Sequence, residues 1–204
     1  MSVLINASTS TGLVQSADTS GEIELQSNGT TALKVNTNEG IQILNCLGVG
    51  NATPSTSGAG ITFPASQSTS SDANTLDDYE EGTWTPTVAR TGSSYTFGAR
   101  SGYYTKIGRS ITLQGYVQIS AITTQGSGYI TVTGIPFANV NSSNANFAGP
   151  VFYNTLASTS TIMSVGVFVN EAFLYLKSAT RNEDPVNENT TTGYLMFTIT
   201  YFTA

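Results

Sequence analysis

Nineteen of the chain's twenty aromatic side chains lie after residue 78, and Phe63 alone precedes them. A β domain closes its core with large side chains, each burying on the order of 150–250 Å². The core therefore belongs to the last 125 or so residues. Before them the chain is Ser, Thr, Asn and Gly with sparse apolar residues, too lean to offset the entropy of ordering by itself. This predicts one globular module carrying a long polar leader that becomes ordered only against another chain.

The leader nevertheless carries strand-like pieces. Gly21–Gln26 alternates with Ile23 and Leu25 on one face, and Thr31–Val35 does so with Leu33 and Val35. Ser27-Asn28-Gly29 between them is a turn signal, because Asn and Gly accept positive φ. A polar turn from Asn36 to Gly40 leads to a third piece with Ile41 and Ile43. Three such strands fall short of independent stability unless another surface covers their apolar stripe. Residues 48–76 are of low complexity and predict an extended connector.

From Trp84 onward the strands are longer and better filled. Ile111, Leu113, Val117 and Ile119 alternate with Thr112, Gln114, Tyr116 and Gln118. Tyr129–Thr133 forms another strand, and residues 161–170 and 172–177 predict a hairpin turning near Asn170-Glu171. Gly193 to Phe202 places Leu195, Phe197, Ile199 and Tyr201 on one face. No stretch shows a capped helical stripe. The expected fold is all-β: a short-stranded extended leader, then an antiparallel β-sandwich or jelly-roll-like domain of seven or eight strands. The expected division is leader 1–45, linker 46–83 and β-sandwich domain 84–204.

Charge narrows the partners. Charged residues are 10% of the chain, against about a quarter in ordinary soluble domains. Residues 1–89 hold nine acids and the single base Lys34, whereas residues 90–204 hold six bases and four acids. A net charge of −6 with no basic stripe argues against nucleic acid and anionic membrane as partners. No apolar run approaches the roughly 20 residues of a membrane span, and no signal peptide opens the sequence. Synthesis and assembly in a cytoplasm are expected.

The catalytic inventory is poor. With no histidine, Ser-His-Asp and Cys-His pairs and His-ligated metals are excluded. Cys46, the single cysteine, stands among Ile43, Leu44 and Leu47 and reads as a small buried hydrophobe. Asp72 and the cluster Asp77, Asp78, Glu80 and Glu81 crowd carboxylates together, but without the spacing of a calcium loop. A solvated acidic boundary is the expected role, ahead of a cation site or a glycosidase pair. No catalytic, cofactor-binding or metal residue is assigned, and no cofactor is expected. Tyr103, Tyr104, Tyr116, Tyr175 and Tyr194 are the better binding residues, for subunit packing first and for uncharged sugars second.

At the junction of leader and module the sequence becomes distinctive. DANTLDDYEEGTWTPTV (72–88), YYTKIGRSITLQGYV (103–117) and GSGYITVTGIPF (126–137) resemble a module of bacteriophage virion proteins, usually labelled tail-fibre-like. The resemblance covers roughly residues 10–140, because SGEIELQSNGTTALKVNTNEG and GVGNATPS are similar to short β repeats that precede that module. It implies a non-enzymatic, homotrimeric virion appendage fixed to tail or capsid proteins by its N-terminal segment. A short fibre or knob fits 204 residues better than a long shaft. Host-surface glycan is a further partner that the tyrosines, not the resemblance, suggest. The alternatives are a capsid decoration or head-fibre protein that stabilises the shell, and a glycan depolymerase or sugar-binding module.

Overall fold

A computed structural model describes residues 22–37, 40–66, 70–154, 163–178 and 192–203. Part of the expected leader (1–21), part of the connector (67–69) and the start of the 161–170 strand lie outside these residues. Two compact units divide the chain, Met1–Ser68 and Thr69–Ala204. The described residues contain strands and turns and no helix.

In the first unit, β1 (Ile23–Ser27), β2 (Thr30–Val35) and β3 (Ile41–Ile43) form an antiparallel sheet in that order. Asn28 (φ 50°) and Gly29 (φ 74°) make the two-residue turn between β1 and β2. That backbone matches the right-handed twist of the strands it joins, which is why Asn-Gly is favoured there. Asn36 shapes the next turn: its N–H donates to the Gly40 carbonyl at 3.0 Å, and its Oδ1 accepts from the Gly40 N–H at 3.1 Å. Two three-residue strands, β4 (Cys46–Gly48) and β5 (Gly60–Thr62), pair in parallel. The expected linker 46–83 thus holds a small bridge of its own, tied further by a 2.8 Å contact between Cys46 Sγ and Thr62 Oγ1.

Among the described residues the second unit holds nine strands: β6 (Tyr79–Trp84), β7 (Thr87–Thr91), β8 (Ser94–Ile107), β9 (Ser110–Thr124), β10 (Ser127–Thr133), β11 (Phe147–Asn154), β12 (Met163–Val167), β13 (Leu174–Ser178) and β14 (Gly193–Phe202). Their order is β6-β8-β9-β14-β11-β12-β13-β10-β7, and every paired neighbour is antiparallel. The two ends of that order, β6 and β7, are consecutive in the chain and joined through Thr85 and Pro86. Laid flat, nine strands would separate them by roughly 38 Å at ~4.8 Å per strand. A two-residue link spans about 10 Å, so the sheet curls until its edges meet.

The fold into two layers happens at β11. Its residues Phe147–Pro150 pair with β12, while Val151, Tyr153 and Asn154 pair with β14, with an irregularity between Val151 and Tyr153. A strand that bends through a bulge is the usual corner between packed sheets. The resulting β-sandwich encloses Trp84, Val88, Ile111, Leu113, Val117, Ile119, Ile130, Val132, Ile135, Val165, Val167, Leu174, Leu176, Leu195, Phe197, Ile199 and Tyr201. Every residue expected on the inner faces of β9 and β14 is there. The expected hairpin is also present, as β12 and β13, with Asn170 at φ 59° in the turn.

One row across the sheet explains how two bulky rings fit. Trp84 stands opposite Gly102, Gly102 opposite Gly115, and Gly115 opposite Phe197. The two glycines leave room over the sheet, and the two rings lie across it, meeting edge to face at 6.2 Å. Trp84 Nε1 donates to the Gln114 carbonyl at 3.2 Å, so the indole is both packed and hydrogen-bonded.

Candidate functional site

Three surfaces carry features that a finished fold does not require. The first is one face of the β1–β3 sheet. Ile23 stands opposite Val35 and Val35 opposite Ile41; Leu25 stands opposite Leu33 and Leu33 opposite Ile43. Six aliphatic side chains therefore form two cross-strand rows on one side. Glu24, Lys34 and Gln42 are in register on the other side. There Lys34 Nζ lies 2.6 Å from Glu22 and 3.7 Å from Glu24, and the Glu24 carboxyl is held below and the Lys34 ammonium above its ordinary range. Hydrogen bonds from Thr31 and Gln26 are the larger cause for Glu24, and the bond to Glu22 the largest for Lys34. The apolar rows stay open: Ile23 is 54% exposed, Leu25 52% and Ile41 72%.

The second surface is a groove of ≈ 670 Å³ crossing β8, β9, β14 and β11 on the outside of the sandwich. Tyr103, Gln114, Tyr116, Phe152, Met196 and Thr198 line it, and no charged side chain does. Phe152, at 87% exposed, is the most exposed large hydrophobic residue described, and Tyr103 stands 58% exposed nearby. Tyr103 and Tyr104 divide as strand parity requires, because Tyr104 turns inward against the Phe137 ring at 5.5 Å. Tyr116 and Tyr194 share the outer face with ring centres 6.5 Å apart. Tyr175 is outside this groove, in contact with Tyr129, Phe168 and Phe173.

The third is the acidic cluster, and each of its carboxylates has its own donor. Asp72 Oδ1 accepts the Asn74 N–H at 2.9 Å, Asp77 Oδ2 accepts the Ser70 N–H at 2.8 Å, and Glu81 Oε1 accepts the Tyr79 hydroxyl at 2.8 Å. Glu80 Oε1 accepts the Tyr104 hydroxyl, which pushes the Tyr104 pKa up to about 12. Asp78 departs from the solvated role expected of the cluster. It is buried and paired with buried Lys106. Lys106 was not among the residues singled out from sequence, although its position two residues from Tyr104 puts it on the inner face of β8. A lysine at a core parity is the signal that could have found it. Among the described residues, no three acidic or cysteine side chains converge as a metal site would need.

No protein-family model matches the chain, and no curated protein does. Among solved structures it is similar to part of the crystal structure titled Dettilon tailspike protein (gp208), at a TM-score of 0.49 and 16% sequence identity. The similarity covers 61% of this chain and 24% of that one, so it spans about a quarter of that protein's length.

Proposed function

We propose that this chain is a non-enzymatic structural protein of a bacteriophage virion: a homotrimeric short fibre or knob that attaches to tail or capsid proteins through its N-terminal segment and displays the β-sandwich outward. The observation that carries this reading is the open apolar face of the β1–β3 sheet. Two rows of aliphatic residues on a three-stranded sheet need a cover, and the sheet's own unit leaves Ile23, Leu25 and Ile41 more than half exposed. A threefold arrangement of the same face supplies that cover, and a virion partner extends it. The resemblance of residues 72–88, 103–117 and 126–137 to tail-fibre-like modules supports the phage setting.

Display is assigned to the sandwich because its core is complete and its outer groove is uncharged and aromatic. Such a groove suits packing between copies or a neutral host-surface glycan. Three copies per appendage would multiply a weak surface contact through avidity. A capsid-decorating version uses the same attachment and stabilises the shell instead. An enzymatic glycan depolymerase has less support, since each carboxylate of the acidic cluster is held by a separate partner.

Light scattering on the purified chain tests the assembly: three times the 21.4 kDa chain mass is expected. Mass spectrometry of purified particles tests the setting, and absence of the chain from virions overturns the proposal. Cryo-EM density for residues 22–43 against a tail or a capsid protein separates the two attachments.

A further inference from the structure

The described core buries two charged side chains, Asp78 and Lys106, and it buries them against each other. Their side chains are 7% and 3% exposed, with Lys106 Nζ directly against Asp78 Oδ2. The surroundings are apolar and aromatic. Nζ lies 5.7 Å from the centre of the Phe137 ring, the Tyr104 ring packs on Phe137 at 5.5 Å, and Ile111 stands opposite Lys106 on the next strand. Both partners are fixed by backbone. Lys106 belongs to β8, which is paired on both sides, and the Asp78 carbonyl accepts the Gly108 N–H at 2.9 Å.

A desolvated ion pair is a costly way to fill a core. In water an ammonium and a carboxylate do not condense, because solvation holds them in charged forms that offer neither a nucleophilic lone pair nor an electrophilic carboxyl carbon. Burial removes that protection, and rigid juxtaposition raises the effective concentration of one group at the other to about 10⁵–10⁸ M in favourable cases. We propose that Lys106 and Asp78 condense spontaneously into an intramolecular isopeptide bond. The ammonium passes a proton to the carboxylate, Nζ attacks Cγ, and the C–N bond forms as one C–O bond breaks. Two of the three ammonium protons leave with that oxygen as water, and the third stays on the amide nitrogen. No oxidant or co-reactant is consumed. Glu80, directly opposite Lys106 in the register and accepting the Tyr104 hydroxyl, is the candidate to relay the proton.

The position gives the bond a purpose. Asp78 immediately precedes β6, the edge strand through which the chain enters the sandwich, and Lys106 lies near the end of the neighbouring β8. Tension applied through the leader would peel β6 from β8 beginning at the Tyr79–Ile107 and Glu80–Lys106 pairs. A covalent link between Asp78 and Lys106 closes that entry point. The inference does not depend on what the leader attaches to.

Intact-mass measurement on the folded wild-type chain, followed by denaturing digestion, tests it. The expected result is a mass lower by one water, with a branched peptide joining the segments that contain Asp78 and Lys106. Lys106→Arg and Asp78→Ala should restore the full sequence mass. Glu80→Gln should slow the loss of water in freshly synthesised protein, followed by mass from the time of first folding, without changing its end point. A full mass in folded wild-type protein overturns the proposal, because it leaves the pair as an ordinary buried ion pair. A water loss that persists in Lys106→Arg overturns it equally, since the dehydration then lies elsewhere.

Discussion

Tyr104 shows how a single side chain couples the acidic cluster to the core. Its ring packs on Phe137 and its hydroxyl donates to Glu80. The hydrogen bond to Glu80 comes first among the causes that raise its pKa from 10.0 to about 12, followed by burial and by repulsion from the Glu80 charge. Because the folded state keeps this proton longer than the unfolded state does, its contribution is complete below pH 10.0 and disappears as the pH rises towards about 12. Tyr201, raised further by burial, with its hydroxyl on the Phe137 carbonyl at 2.6 Å, adds to the same alkaline loss. Urea midpoints of the wild-type chain are therefore expected to fall over this interval. Tyr104→Phe should cost about 1 kcal/mol at neutral pH, the typical net value of one hydrogen bond, and should make the alkaline decline shallower. An unchanged slope in Tyr104→Phe would show that the Glu80 contact is absent in solution.

At the scale of elements, the row Trp84–Gly102–Gly115–Phe197 ties four strands into one layer. A Cβ on Gly102 would come within 2.4 Å of Trp84 Nε1, and one on Gly115 within 2.4 Å of the Phe197 ring. Both rings are confined by the core, so neither can simply swing aside. Gly102→Ala and Gly115→Ala are each expected to destabilise the sandwich by about 1–3 kcal/mol, the usual range for overpacking. Ser101→Ala, on the exposed outer face, should change stability by less than about 0.5 kcal/mol. Equal urea midpoints for the three variants would refute the packing role of the row. The strands themselves were legible in the sequence because inward and outward residues alternate cleanly along β9 and β14. The glycine row was not, because it exists only once four strands are in register. The switch of β11 between layers was hidden for the same reason. Pro150 and Val151 carry no local sign of which neighbour each half of the strand will meet.

For the molecule as a whole, the aromatic imbalance separates a unit that closes its own core from one that leaves an apolar face uncovered. The second unit completes itself: Tyr201, Ile111, Leu113, Leu174, Leu176 and Leu195 are all fully buried. The first unit was legible as three strands with an apolar stripe, since Asn28-Gly29 and the alternation around it set the hairpin register. How open the stripe stays was not legible, because the exposure of Ile23, Leu25 and Ile41 follows only once the three strands are in register. Replacing Ile23 and Ile41 with Ser tests the division of labour directly. Both residues are exposed in the sheet, so the substitutions remove little buried area within the chain, and the urea midpoint of the sandwich should not move. If this face is the one that assembles, the double variant should shift in light scattering from the oligomer towards the 21.4 kDa single chain. If the chain is the virion protein proposed above, the double variant should also fail to enter particles when supplied in place of the wild-type protein. Wild-type assembly and incorporation by the double variant would place the attachment elsewhere. A lowered sandwich midpoint would instead show that the two units do not stand independently.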